Sequence, residues 1–149
     1  LHDVVVPRTR LAESLAGFYD IGRRHELAVT CIAHAGDGNL HPHLHFVARE
    51  PGVLERVLAA SAEVVRLAVD LGGTLSGEHG IGLEKRDFLP LVLSEDDLAA
   101  QACVRAAFDP ERRMNPDKVL PDGARCAEVP AAGVVAAGAS AEGAEGGWS

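Results

Sequence analysis

The chain has 149 residues, a length for one compact domain and marginal for two, and 47% of them are hydrophobic, enough for a core. The formal net charge of -8 lacks the basic footprint that phosphate backbones select, so nucleic-acid binding is set aside. No apolar run approaches the ~20 residues of a membrane-spanning helix, and no charged segment followed by an apolar one reads as a secretory signal.

Asp3-Val4-Val5-Val6 is β-branched and stops at Pro7, which predicts a short strand. Leu11, Leu15, Phe18 and Ile21 recur at helical spacing, predicting an amphipathic helix over 9–25 with Thr9 as its N-cap. A second strand is expected over Leu27 to Ala33, and Gly36-Asp37-Gly38-Asn39 is dense turn chemistry. Leu40 to Val47 then alternates, with Leu40, Pro42, Leu44 and Phe46 on one face and His41, His43 and His45 on the other; Pro42 suggests an edge strand. Pro51 opens a long helix whose stripe is Leu54, Val57, Leu58, Ser61, Val64, Val65, Ala68 and Leu71, and Gly72-Gly73 stop it. Thr74 to Gly82 is a Gly-rich connection. Ser94-Glu95-Asp96-Asp97 has the form of a capping box and starts a last helix that runs to Asp109-Pro110. Cys31, Cys103 and Cys126 form no CxxC pair and are expected as free or buried thiols in a reducing compartment. The expected fold class is α+β: a small antiparallel, ferredoxin-like sheet with helices on one face over 1–120, and a disordered Ala/Gly-rich tail over 121–149.

The hairpin carries chemistry. A symmetric turn centred between Asp37 and Gly38 sets His34 opposite His41, and opposed residues point to the same side of a sheet. Two neighbouring imidazoles and one carboxylate form a common divalent-metal site with open positions. Glu78, in the Gly-flanked segment Ser76-Gly77-Glu78-His79-Gly80, is the candidate carboxylate. His79 beside it is a candidate general base; the other assignment has His79 as the ligand in place of Glu78. An exposed sheet face also carries imidazoles as plain polar surface, and that is the reading for His43 and His45. His2 and His25 have no constellation around them.

His34-Ala35-Gly36-Asp37-Gly38-Asn39-Leu40-His41-Pro42 resembles the HAGDGNLHP signature of the C-terminal domain of FAD-linked oxidases. Ser76-Gly77-Glu78-His79-Gly80-Ile81-Gly82, with Lys85 after it, resembles their SGEHGIG segment. Phe108-Asp109-Pro110 and Asn115-Pro116-Asp117-Lys118 resemble the closing FDP…NPxK run, with Asp117 where Gly is more usual. The resemblance covers about residues 1–120 and is to glycolate oxidase FAD subunits, D-lactate dehydrogenases and D-2-hydroxyglutarate dehydrogenases of the vanillyl-alcohol-oxidase type. It implies oxidation of a small D-2-hydroxy acid, with hydride passing to FAD. It also implies a divalent metal, zinc or manganese, held by His34, His41 and Glu78, with His79 as catalytic base and Asn115 on the cofactor side.

The family's FAD-binding domain lies N-terminal to this region, so the chain is expected to be a C-terminal portion, truncated at its N-terminus and inactive alone. Its partner would be an FAD-binding domain or subunit. The expected location is cytoplasmic, with peripheral association to a membrane left open. Two other readings use the same three side chains: a non-catalytic metal-binding module that pairs with a separate FAD-domain chain, and a metal-dependent hydrolase.

Overall fold

The computed structural model describes residues 2–124. Strand β1 (Val4–Val5) leads through a 3-10 turn (Arg8–Arg10) into helix α1 (Leu11–Arg24). The hairpin β2 (Ala28–His34) and β3 (Asn39–His45) precedes helix α2 (Val53–Asp70). A 3-10 segment (Arg86–Leu91) and helix α3 (Glu95–Phe108) follow the Gly-rich connection. The expected tail from residue 125 onward, with Trp148 and Cys126, lies outside the described residues.

The fold is α+β, as expected. The sheet is antiparallel with the order β1-β3-β2, so β1-α1-β2 is a split unit with β3 inserted between its strands. On the outer side of β1, Val5 and Thr74 exchange both backbone hydrogen bonds, Val5 N to Thr74 O at 3.2 Å and Thr74 N to Val5 O at 2.9 Å. That one bridge stands where a ferredoxin-like sheet places its fourth strand. Leu40 and Leu44 of β3 face a core that contains Phe18 and Ile21 of α1 and Val64, Val65 and Ala68 of α2. Apolar burial of this kind, worth roughly 25 cal/mol per Å², fixes which face of each strand points inward. The other face carries Thr30, Ile32 and His34 from β2 beside His41, His43 and His45 from β3.

Several local expectations are corrected. The hairpin register differs: His34 pairs with Asn39, and His41 pairs with Ile32. The loop is Ala35–Gly38, because His34 O accepts from both Asp37 N (3.2 Å) and Gly38 N (3.0 Å), while Asp37 Oδ1 accepts from Asn39 N (2.9 Å). Gly38 takes φ +88°, and a Cβ there would lie 2.1 Å from Val6 O. Partners two residues along one strand share a face, so His34 and His41 are diagonal neighbours on the same side. Pro42 lies in the central strand, not at an edge. His2 N donates to Pro42 O (3.0 Å), so the side of Pro42 that lacks a donor faces the start of β1, where the ladder has ended.

Thr9 lies within the 3-10 turn and caps nothing; α1 begins after Arg10. On α2 the buried stripe includes Val53 and Ala60, while Leu54 and Leu58 are both 62% exposed, because the helix turns a neighbouring face inward at its N-terminal half. The α3 capping box forms as read: Asp97 N donates to Ser94 Oγ and Ser94 N to Asp97 Oδ2. Cys31 is a free thiol, whereas Cys103 is disulfide-bonded and departs from the thiol expectation. Among the described residues no helix is long and apolar enough to cross a membrane.

Candidate metal centre

The uncovered face of the hairpin meets the Gly-rich connection. One ligand atom from each of His34, His41 and Glu78 can be chosen so that all lie within 4.8 Å of one another. Glu78 Oε1 is 3.1 Å from His41 Nε2, 3.5 Å from His34 Nε2 and 3.7 Å from His79 Nε2. The His34 and His41 rings meet edge to face at 5.3 Å between centroids, and His79 stacks on His41 at 5.0 Å. His41 is buried, while His34, Glu78 and His79 are about half exposed on the solvent side. The cluster is therefore a bowl with His41 at its floor.

The donor set fits a divalent cation. His41 stands between two oxygens, Glu78 Oε1 on its Nε2 side and His2 O 3.3 Å from its Nδ1. A neutral imidazole carries one proton and can satisfy only one acceptor. A positive charge on the Nε2 side satisfies the other, and two imidazole nitrogens with a carboxylate oxygen are a donor set that a divalent cation can use.

Glu78 and His79 owe their position to Asp3, which sequence reasoning read only as the start of a strand. Its carboxylate, 1% exposed, accepts from Ser76 Oγ (2.5 Å) and from the N–H groups of Gly77 (3.0 Å), Glu78 (3.1 Å) and His79 (2.9 Å). Successive N–H groups converging on one anion form a nest. Burial alone would raise the Asp3 carboxyl, but the Ser76 hydroxyl and the N–H groups of His79, Glu78 and Gly77 outweigh it and hold it well below the usual carboxylate range. Lys85 closes the loop from below by donating from Nζ to Leu75 O (2.7 Å) and to Asp3 O. Burial lowers the Lys85 ammonium, against the opposing pull of Asp3 and Glu84. Gly77 crosses directly over β3: a Cβ there would be 2.7 Å from the Asn39 amide.

The remaining histidines stay outside the cluster. His45 Nε2 lies 2.7 Å from Thr30 Oγ1, and the His43 and His45 rings are 6.3 Å apart. His25 pairs with Glu63, and His2 Nε2 with Ser61 Oγ. Asn115 lies in the turn after α3, with its carbonyl accepting from Arg105. That turn is tied to the site loop by one bond, Val119 N to Gly82 O at 2.7 Å.

The family model for FAD linked oxidases, C-terminal domain, matches residues 1–119. The chain belongs to this family. Among curated relatives, the chain is 38% identical over 125 residues to the glycolate oxidase subunit GlcD of Bacillus subtilis, covering 84% of this chain and 27% of that protein. It is 40% identical over 126 residues to the glycolate oxidase subunit GlcD of Escherichia coli K12, covering 85% and 25%. It is 33% identical over 118 residues to the mitochondrial D-lactate dehydrogenase [cytochrome] of Kluyveromyces lactis, covering 79% and 20%. The chain thus spans about a quarter of the length of these two glycolate oxidase subunits.

Proposed function

We propose that this chain is the C-terminal catalytic portion of an FAD-dependent D-2-hydroxy-acid dehydrogenase or oxidase, acting with an FAD-binding domain or subunit. The reading also places it in the cytoplasm. The observation behind it is one carboxylate oxygen, Glu78 Oε1, ringed by three imidazole Nε2 atoms at 3.1–3.7 Å. His34, His41 and Glu78 would hold a divalent cation, zinc or manganese. When bound, the cation supplies positive charge for the oxygens of a hydroxy acid, and FAD supplies the hydride acceptor.

The chain's own residues do the rest. His41, buried and held from behind, fixes the floor of the bowl. His34 and Glu78 close two sides. His79, stacked on His41, takes the substrate hydroxyl proton on Nε2, the nitrogen that faces the cluster. Asp3 keeps Glu78 and His79 in register with the hairpin. Asn115 would face the cofactor from the turn that is bonded to Gly82. The names of the relatives, glycolate oxidase subunit and D-lactate dehydrogenase, support a small 2-hydroxy acid as substrate.

Metal content and kcat of two variants, measured in this chain recombined with an FAD-binding domain, test the roles. His79→Asn should lower kcat about 10²–10⁴-fold with metal content near normal. Glu78→Ala should lose metal and activity together. If His79→Asn empties the metal site while Glu78→Ala keeps it, the roles are reversed; if both retain activity, the cluster is polar surface.

A further inference from the structure

His41 has two ring nitrogens, and only one faces His34 and Glu78. Nδ1 is turned to the His2 carbonyl at 3.3 Å. That carbonyl is available for a specific reason. Val4 pairs with Leu40, which puts His2 opposite Pro42 in the same register, and His2 N donates to Pro42 O at 3.0 Å. A regular antiparallel pair would return the bond from residue 42 N to His2 O. Proline has no N–H to give. The ladder therefore leaves one acceptor without its backbone donor beside the His41 ring, and β1 shrinks to Val4–Val5.

We propose that Pro42 is a positioning residue: by leaving the His2 carbonyl vacant, it makes that oxygen the partner of His41 Nδ1–H and leaves the Nε2 lone pair for a divalent cation. This rests on the metal-site reading above and adds which nitrogen binds and what selects it. A carbonyl oxygen only accepts, so the bond requires the proton on Nδ1. A ligating histidine held through its other nitrogen keeps its tautomer and its ring orientation, which raises affinity. An alanine at 42 supplies the missing N–H, completes the ladder pair and competes for the same oxygen.

Two measurements on the full chain test this. Long-range proton–nitrogen NMR reads the His41 tautomer without metal, in Glu78→Ala to remove the competing acceptor on Nε2, at a pH above the imidazole range. His41 should carry its proton on Nδ1 there, and adding Pro42→Ala should move the population towards Nε2–H. Zinc titration should show affinity about tenfold weaker in Pro42→Ala than in wild type. A proton on Nε2 in the Glu78→Ala background, or a tautomer indifferent to Pro42→Ala, overturns the proposal. So does zinc affinity unchanged by Pro42→Ala. A wild-type chain that binds no zinc, with the tautomer shift present, refutes the metal-site reading and the cation role of Nε2, while upholding the selection of Nδ1–H by Pro42.

Discussion

Asp3 holds the candidate centre together through four donors that lie 73 to 76 residues away in sequence. Replacing it by asparagine turns an amide NH2 towards N–H groups that need an acceptor. Removing one side of a buried charged network costs on the order of 3–5 kcal/mol, and Asp3→Asn keeps part of the bonding, so a loss of about 2–4 kcal/mol in urea unfolding is expected. The acid dependence should change as well. A carboxyl held below its ordinary 3.8 contributes stability in full above that value, and loses it as pH falls further, because the unfolded chain takes up the proton first. Asp3→Asn should flatten that part of the acid-unfolding profile; an unchanged profile would contradict the anchor. Of the candidate site, the proximity of His34, His41 and Glu78 was legible because the hairpin and the glycine-flanked acid each signal locally. Asp3 was not, since nothing near it in sequence shows which donors it meets.

The elements were legible by type and less so by detail. Hydrophobic period identified α1, α2 and β3, β-branched composition marked β1 and β2, and the Ser94–Asp97 box marked the start of α3. The hairpin register escaped, because Gly38 is pinned to β1 through Val6 N to Gly38 O, a contact that turn chemistry alone does not contain. Pro42 misled for a related reason: its missing donor faces the end of β1, so a central strand tolerates it. The Gly-rich connection offers a direct test at this scale. A Cβ on Gly77 would sit 2.7 Å from Asn39 Cγ and 2.8 Å from Val5 Cγ2, whereas one on Gly36 meets nothing within 4 Å. Overpacking costs about 1–3 kcal/mol, so Gly77→Ala should lower stability by that amount and weaken zinc binding, while Gly36→Ala leaves both near wild type. Thermal unfolding with zinc titration checks both variants; equal effects would show that the close passage over β3 does not matter.

At the scale of the whole molecule, the sheet divides labour between its faces. One is sealed by α1 and α2, and the other presents the imidazoles beneath the loop that Asp3 holds. The proposal of a separate FAD-binding domain or subunit draws on the family match over residues 1–119 and on the quarter-length coverage of the relatives. Hydride transfer needs the flavin N5 held against the substrate carbon. The purified chain is therefore expected to lack the flavin absorbance band and to leave D-lactate and glycolate unoxidised; a yellow protein that reduces a dye with either acid would contradict this.

The central claim is that His34, His41 and Glu78 form a divalent-metal site, and a crystal of the full chain grown with zinc and measured at the zinc absorption edge tests it most directly. The account predicts one anomalous peak at about 2.0–2.2 Å from Nε2 of His34, Nε2 of His41 and a carboxylate oxygen of Glu78. No peak in that bowl, or a peak bound by His79 with Glu78 turned away, would contradict it.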